Sequence, residues 1–164
     1  MGNQTTLIVP TVIGDLTLEI DGQSLLSLSI SKVNSNKNSK RPLSAAQTNN
    51  HSVELAQQLE KYFSSATSFT NLRLAPQGTD FQKSVWNELS KIPCGQTLTY
   101  GEIAKKLNSS ARAVGNACRK NPIAIIVPCH RVVSATGLGG YAGKTEGRQL
   151  NIKRWLLKHE GVLV

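Results

Sequence analysis

The sequence predicts an α/β protein in two parts: a small three-stranded sheet covered by one helix over residues 1–75, then a helical domain over residues 76–164. Three observations lead there. Residues 6–30 alternate apolar and β-branched positions between turn signals, apolar residues past residue 80 recur at helical spacing, and charge is unevenly divided along the chain. Residues 1–79 hold 6 Lys/Arg against 5 Asp/Glu and residues 80–164 hold 13 against 5, so +1 and +8 make up the net +9 of the 164 residues. A basic half beside a neutral half is the electrostatic footprint of a protein that binds nucleic acid or another anionic surface. With 39% hydrophobic residues and 13 glycines the composition is that of a globular protein, and wholesale disorder is excluded. The longest purely apolar stretches, such as residues 123–127, fall far short of the ~18 residues a spanning helix needs, so no membrane is expected as a partner. The N-terminus has no basic stretch leading into an apolar run with a small-residue cleavage site, which predicts an interior compartment.

In the first part, Thr6 to Val9 and then Leu16, Leu18 and Ile20 carry the alternation, with turn signals at Ile13-Gly14-Asp15 and Asp21-Gly22. This pattern predicts a β-meander. Residues 31–41 turn to Ser, Asn and Lys, too polar to bury, and are expected to form an exposed loop. Val53, Leu55, Ala56, Leu59, Tyr62 and Phe63 recur at helical spacing, so a helix over roughly residues 45–64 is expected to cover the sheet. A second polar loop, residues 64–70, leads to the domain boundary.

In the second part, Thr79 or Asp80 caps a helix carrying Phe81, Val85, Trp86 and Leu89 on one face, and Pro93 and Gly95 end it. Thr99 with Glu102 forms a capping box that opens a short helix over residues 100–107. Ser109 or Ser110 caps the next, over residues 111–120, before Asn121-Pro122 stops it. Two short helices around a tight turn make a candidate helix-turn-helix over residues 99–120, whose second helix carries Arg112, Arg119 and Lys120. Residues 148–159 form a last amphipathic helix with Leu150, Trp155 and Leu156, closed by Gly161.

The chemistry concentrates after residue 120. Residues 123–127 read as a buried strand that ends in Pro128-Cys129-His130-Arg131. A cysteine held behind a proline, beside an imidazole and a guanidinium, sits where a thiolate is expected to be favoured, the setting of a nucleophile. Cys94 and Cys118 read as ordinary buried thiols, and three cysteines without a Cys-x-x-Cys form neither a disulfide framework nor a zinc site. The run from Gly137 to Gly143 is too irregular for a dinucleotide fingerprint and lacks a P-loop's Lys-Ser/Thr; such a loop lets backbone approach a flat ligand closely.

Pro128-Cys129-His130-Arg131, preceded by Arg112-Ala-Val-Gly115 and Asn121-Pro122, and followed by the glycine-rich loop with Tyr141 and by His159-Glu160-Gly161, resembles the O6-alkylguanine-DNA alkyltransferases, also called methylated-DNA–protein-cysteine methyltransferases. The resemblance runs through residues 80–161. It implies a ribonuclease-H-like α/β first domain and a winged-helix-like second domain carrying the active cysteine. It also implies a DNA-repair reaction in which the Cys129 thiolate takes an alkyl group from O6 of guanine, with O4 of thymine as a further substrate. The thioether formed has no easy leaving pathway, so each molecule acts once. The implied relay runs from Cys129 through a water to His130 and Glu160.

The target base must rotate out of the duplex into a pocket. By resemblance Tyr100 acts on the target phosphate and base, Arg112 fills the vacated stack, and Ala111, Gly115 and Arg119 belong to a helix laid in the minor groove of double-stranded DNA. Cys118, Val132, Tyr141 and Ala142 would form the base pocket, while Asn121, Pro128 and Arg131 are structural. No cofactor and no metal are expected. A monomer is expected, in the cytoplasm near the nucleoid of a bacterium or archaeon, or in the nucleus of a eukaryote. The sequence departs from the family in Ala142, where a serine hydroxyl is common, in Cys118, and in the Lys144-Thr-Glu-Gly147 continuation of the loop. A non-enzymatic lesion binder of the same fold would lack Cys129, a transcription regulator would leave Pro128 to Arg131 unexplained, and a cysteine hydrolase would turn over.

Overall fold

The computed structural model describes residues 4–32 and 49–164, and the chain divides into two compact units, Met1–Pro76 and Gln77–Val164. In the first unit β1 (Gln4–Thr11), β2 (Gly14–Asp21) and β3 (Ser24–Ile30) form an antiparallel meander in the order β1-β2-β3. The first hairpin closes on Val12-Ile13, just ahead of the glycine, and Gly14 takes a φ of 132° that side chains rarely adopt. Alternation decides which face is buried: Leu16, Leu18 and Ile20 of the central strand are fully buried, with Leu18 opposite Leu7 on one side and Leu28 on the other. Leu74 adds a parallel bridge beside Leu25, through Leu25 N–H to Arg73 O at 2.8 Å and Ala75 N–H to Leu25 O at 2.9 Å.

The helix α1 (Asn50–Ser65) starts where its cap allows. Asn49 accepts from Ser52 N–H at 2.8 Å and its own N–H donates to Ser52 Oγ at 3.1 Å, a reciprocal box that satisfies two otherwise orphaned donors. Leu55, Leu59 and Tyr62 are its buried stripe, whereas Val53 is exposed. Residues 45–48 of the expected helix and 33–41 of the expected polar loop lie outside the described residues.

The second unit holds α2 (Asp80–Ser90), α3 (Tyr100–Lys106), α4 (Ala111–Arg119) and α5 (Gly147–His159). Thr79 with Gln82, Thr99 with Glu102, and Ser110 cap the first three. The link from α3 to α4 is tight: Asn108 turns left-handed at φ 51°, and Ser109 N–H returns to Ala104 O at 2.9 Å. Trp86 joins α2 to α4 by donating its indole N–H to Ala117 O at 2.8 Å inside the core, whereas Phe81 at the start of α2 is exposed. Beside the helices, β4 (Leu98–Thr99) and β5 (Val132–Val133) pair in parallel, a contact with no local sequence signal.

Two expectations are corrected in this unit. Residues 123–127 are no strand: Ile126 N–H bonds Ala124 O at 2.8 Å and Val127 N–H bonds Ile123 O at 3.0 Å, folding the run into consecutive tight turns with Ile125 at φ 71°. A short apolar run reads alike as buried strand or buried turn, because periodicity reports burial and not backbone direction. The buried stripe of α5 is Ile152, Lys153, Leu156 and Leu157, while Leu150 and Trp155 are half-buried.

Leu18→Ala should lower unfolding free energy by about 2–5 kcal/mol, because it empties a site enclosed by both neighbouring strands. Val12→Ser, on an exposed turn, should stay within about 0.5 kcal/mol. Urea titration followed by circular dichroism distinguishes the two.

Candidate functional site

Asn121 organises the approach to Cys129. Its Nδ2 donates to Val127 O at 2.8 Å and its Oδ1 accepts from Ile123 N–H at 3.0 Å, so one amide closes both ends of the turn run. The left-handed φ of β-branched Ile125 is strained, and this bracing holds it. Pro128, at φ −83° and ψ 66°, then makes an inverse γ-turn in which Cys129 N–H reaches Val127 O at 2.9 Å. A single 3-10 turn, Cys129–Arg131, follows and feeds β5. The cysteine is thereby fixed by backbone geometry on a buried turn.

His130 and Arg131 face the end of α5. Glu160 takes His130 Nε2 at 2.7 Å, Arg131 Nε at 2.9 Å and Arg131 Nη2 at 2.9 Å, and Arg131 Nη1 donates to Ile92 O at 2.7 Å. Glu160 stands just past the last turn of α5, and its side chain is fully buried. Burial alone would raise its pKa, but hydrogen bonds from His130 and Arg131 outweigh that and hold the carboxyl far below the usual range. For His130 burial wins over the Glu160 carboxylate and lowers the pKa, so the imidazole is neutral near pH 7. Its Nδ1 is buried with no protein partner. With Nε2–H directed at Glu160, that Nδ1 presents a lone pair, as a base requires.

The expected preference of Cys129 for its thiolate is corrected. Burial pushes the thiol up, opposed by a hydrogen bond from Asn121 and by the charge of Lys153. Arg131 does not act as the stabilising cation, because Glu160 and Ile92 O occupy its guanidinium. Lys153, which sequence reading passed over, is fully buried and donates to Val132 O at 2.6 Å and to Gly140 O at 2.9 Å. The signal was present: Lys153 stands three and four residues before Leu156 and Leu157, on the buried stripe.

Cys129 opens on a cavity of about 190 Å³ whose wall includes Tyr100, Cys118, Arg119, Tyr141 and Ala142. Gly115, which also lines it, brings α4 against the Tyr100 ring. One lip is a tight hairpin: Tyr141 N–H to Lys144 O at 2.8 Å and Lys144 N–H to Tyr141 O at 2.9 Å enclose Ala142 at φ 49° and Gly143 at φ 78°. Gly139, at φ 72°, lets the loop pass Tyr100; a Cβ there would come within 3.1 Å of Tyr100 Cε2. Tyr100 Oη donates to Gly140 O at 3.3 Å, and burial raises its pKa to about 12. Tyr141 is also raised by burial, and its hydroxyl has no protein partner. Cys118, pushed up to about 12 by burial, is a neutral thiol in the cavity wall.

Other expected residues lie further out. Ala111 and Arg112 are exposed on the first turn of α4 and do not line the cavity. Val132 is buried behind it, with its carbonyl taken by Lys153. Among the described residues no group of three or more His, Cys, Asp or Glu side chains is placed to hold a metal ion, and no helix is long and apolar enough to cross a membrane.

Residues 80–162 match the model of a family described as 6-O-methylguanine DNA methyltransferase, DNA binding domain. A methylated-DNA–protein-cysteine methyltransferase of Methanosarcina mazei is 56% identical over 110 residues, which cover 65% of this chain and 66% of that protein. The crystal structure of the Mycobacterium tuberculosis O6-methylguanine methyltransferase is 35% identical, with a TM-score of 0.76, covering 96% of this chain and 92% of that one. A further crystal structure of the M. tuberculosis protein, in complex with DNA, is 39% identical with a TM-score of 0.72, covering 96% and 91%. Matched by the family model through the cavity, the cysteine turn and Glu160, and alike over nearly its whole length to a solved member, the chain belongs to the O6-methylguanine-DNA methyltransferase family.

Proposed function

We propose that this protein repairs alkylated duplex DNA by moving the alkyl group from O6 of guanine, and from O4 of thymine, irreversibly onto Cys129. The observation that carries this reading is a fixed thiol on the wall of a cavity, next to a neutral imidazole whose Nδ1 is free and whose Nε2 is held by a buried carboxylate. Because burial keeps the resting thiol protonated, the proton must leave as the sulfur attacks. In the proposed step a water carries it from Cys129 to His130 Nδ1, and Glu160 stabilises the imidazolium. The sulfur–carbon bond forms, the carbon–O6 bond breaks, and guanine departs, taking a proton. Tyr100, protonated at neutral pH and lining the cavity, gives that proton to the base in this reading, and the proton taken up by His130 then restores the tyrosine, so that the thiol's proton ends on guanine. The thioether that remains has no leaving path, so one molecule clears one lesion.

The cavity lies inside the second unit, whereas a base in a duplex is stacked, so the nucleotide must rotate out to reach it. Arg112, exposed at the start of α4, suits insertion into the vacated stack, and the cations of this unit suit phosphate contacts through the minor groove by a monomer.

With duplex carrying O6-methylguanine, intact mass should rise by one methyl per protein and peptide mapping should place it on Cys129. Methyl on Cys94 or Cys118, or many lesions cleared per molecule, would remove the mechanism. Cys129→Ser should abolish transfer and leave duplex binding intact. Arg112→Ala should slow repair in duplex by about tenfold or more, since unstacking costs a few kcal/mol, yet hardly change dealkylation of free O6-benzylguanine. Equal slowing of both substrates would withdraw the inserting role.

Glu160→Gln should impair transfer and alter acid stability together. The folded carboxyl has a pKa depressed below its ordinary 4.5, so its stabilisation is present above that pH and is lost as pH falls through the folded value. The variant should therefore be less stable near neutrality, by about 3–5 kcal/mol where Arg131 is left unpaired, with a shallower acid limb in pH-dependent melting.

A further inference from the structure

Lys153 is a buried cation without an anion. Its ammonium is fully buried, its hydrogen bonds go to two neutral carbonyls, Val132 O at 2.6 Å and Gly140 O at 2.9 Å, and it lies 5.8 Å from the centroid of the Tyr100 ring. Among the described residues no carboxylate stands within ion-pair distance of it, whereas the neighbouring Arg131 is fully paired with Glu160. Burying an unpaired charge is costly, and carbonyl oxygens and a ring face repay only part of the lost hydration. Such a cation is best balanced when a negative charge forms nearby.

Its partners point to where that charge forms. Val132 directly follows the turn that carries Cys129 and donates its N–H to Cys129 O, and Gly140 and Tyr100 line the cavity on which the sulfur opens. One ammonium therefore ties the cysteine turn to the cavity lip. We infer that Lys153 is the positioning residue whose charge the Cys129 sulfur meets as it loses its proton, and that His130 and Glu160 take the proton while Lys153 holds the sulfur's negative charge. This rests on the alkyl-transfer reading above but concerns the thiol itself, so it can be tested without guanine or DNA.

Electrostatics agree with the geometry. Burial lowers the Lys153 pKa to about 8, and the nearby Cys129 and Cys118 sulfurs oppose that shift. The groups around it are Tyr100 on α3, Cys118 on α4, Cys129, His130 and Arg131 on the turn, Tyr141 on the loop, and Glu160 beyond α5. Tyr100 and Cys118 sit near 12, Tyr141 is well above its ordinary 10, Cys129 is raised, and His130 and Glu160 are shifted down. Of the shifted groups here, Lys153 is the one placed near pH 8. A thiol whose ionisation relies on that ammonium shares its protons with it: thiolate grows with pH until the pair has lost one proton, then levels.

The test is the rate at which iodoacetamide modifies Cys129, resolved from Cys94 and Cys118 by peptide mass mapping, between about pH 6 and pH 10. In the unaltered protein the rate should climb and level near pH 8. In Lys153→Met it should be about tenfold or more slower at about pH 7, the change that one pKa unit makes, and should climb without levelling. A wild-type rate that climbs steadily through pH 8, or a Lys153→Met profile that superposes on the wild type, overturns the inference. So does a variant slowed toward O6-benzylguanine but unchanged toward iodoacetamide, which would place the charge on the departing guanine. Should Lys153→Met fail to fold, the wild-type profile alone decides. Failure of methyl transfer from O6-methylguanine duplex would instead strike the alkyl-transfer reading, whatever the iodoacetamide profile shows.

Discussion

The carboxylate of Glu160 takes three donors from two consecutive residues, His130 and Arg131, inside the core, and much of the second unit is arranged around that contact. A buried carboxylate is tolerable when its oxygens are well satisfied, and a bidentate guanidinium is the side chain best shaped to do it. The same guanidinium donates to Ile92 O just beyond α2, so the end of α5, the cysteine turn and the exit from α2 meet at one ionic junction. With Arg131 balancing the carboxylate, His130 has no need to be charged. Burial then keeps it neutral, with one nitrogen committed and the other free.

Two buried cations, Arg131 on the cysteine turn and Lys153 on α5, thus differ in what balances them. Arg131 is matched in place and serves the architecture. Lys153 is held by carbonyls and a ring face, an arrangement better suited to a charge that comes and goes. A thiol raised by burial and an ammonium lowered by burial are consequences of one dry environment. They favour a resting pair in which the thiol is neutral and the ammonium holds most of its charge near pH 7.

Backbone strain is concentrated in the same place. Ile125 and Ala142 are both left-handed, each at a cost of about 1–2 kcal/mol, and both flank the cavity cysteine, one before it in the chain and one after. Asn121 braces the first with two hydrogen bonds, and the Tyr141–Lys144 pair encloses the second. The helix caps at Thr79, Thr99 and Ser110 carry no such strain and build the scaffold on which these two loops are mounted.

What was legible in the sequence follows from the range of each interaction. Caps, the period-2 alternation of β2, the helical stripes and the tight turn of the helix-turn-helix are local, so Thr99 with Glu102 or Leu16 with Leu18 could be read directly. The cysteine turn could be read as well, because Pro128, Cys129 and His130 are chain neighbours whose chemistry is suggestive by itself. The turns at residues 123–127 were not, since apolar residues signal burial equally in a strand and in a braced turn, and the brace is the side chain of Asn121. The burial of Glu160 beneath His130 and Arg131, the short pairing of β4 with β5, and the placement of Lys153 behind the cysteine depend on contacts 21 to 34 residues apart in the chain. Residue types and spacing determined which groups were present and where the chain would bend. The tertiary structure alone decided which of them lost their water and which charges faced one another, because desolvation and Coulomb interaction depend on distance in space.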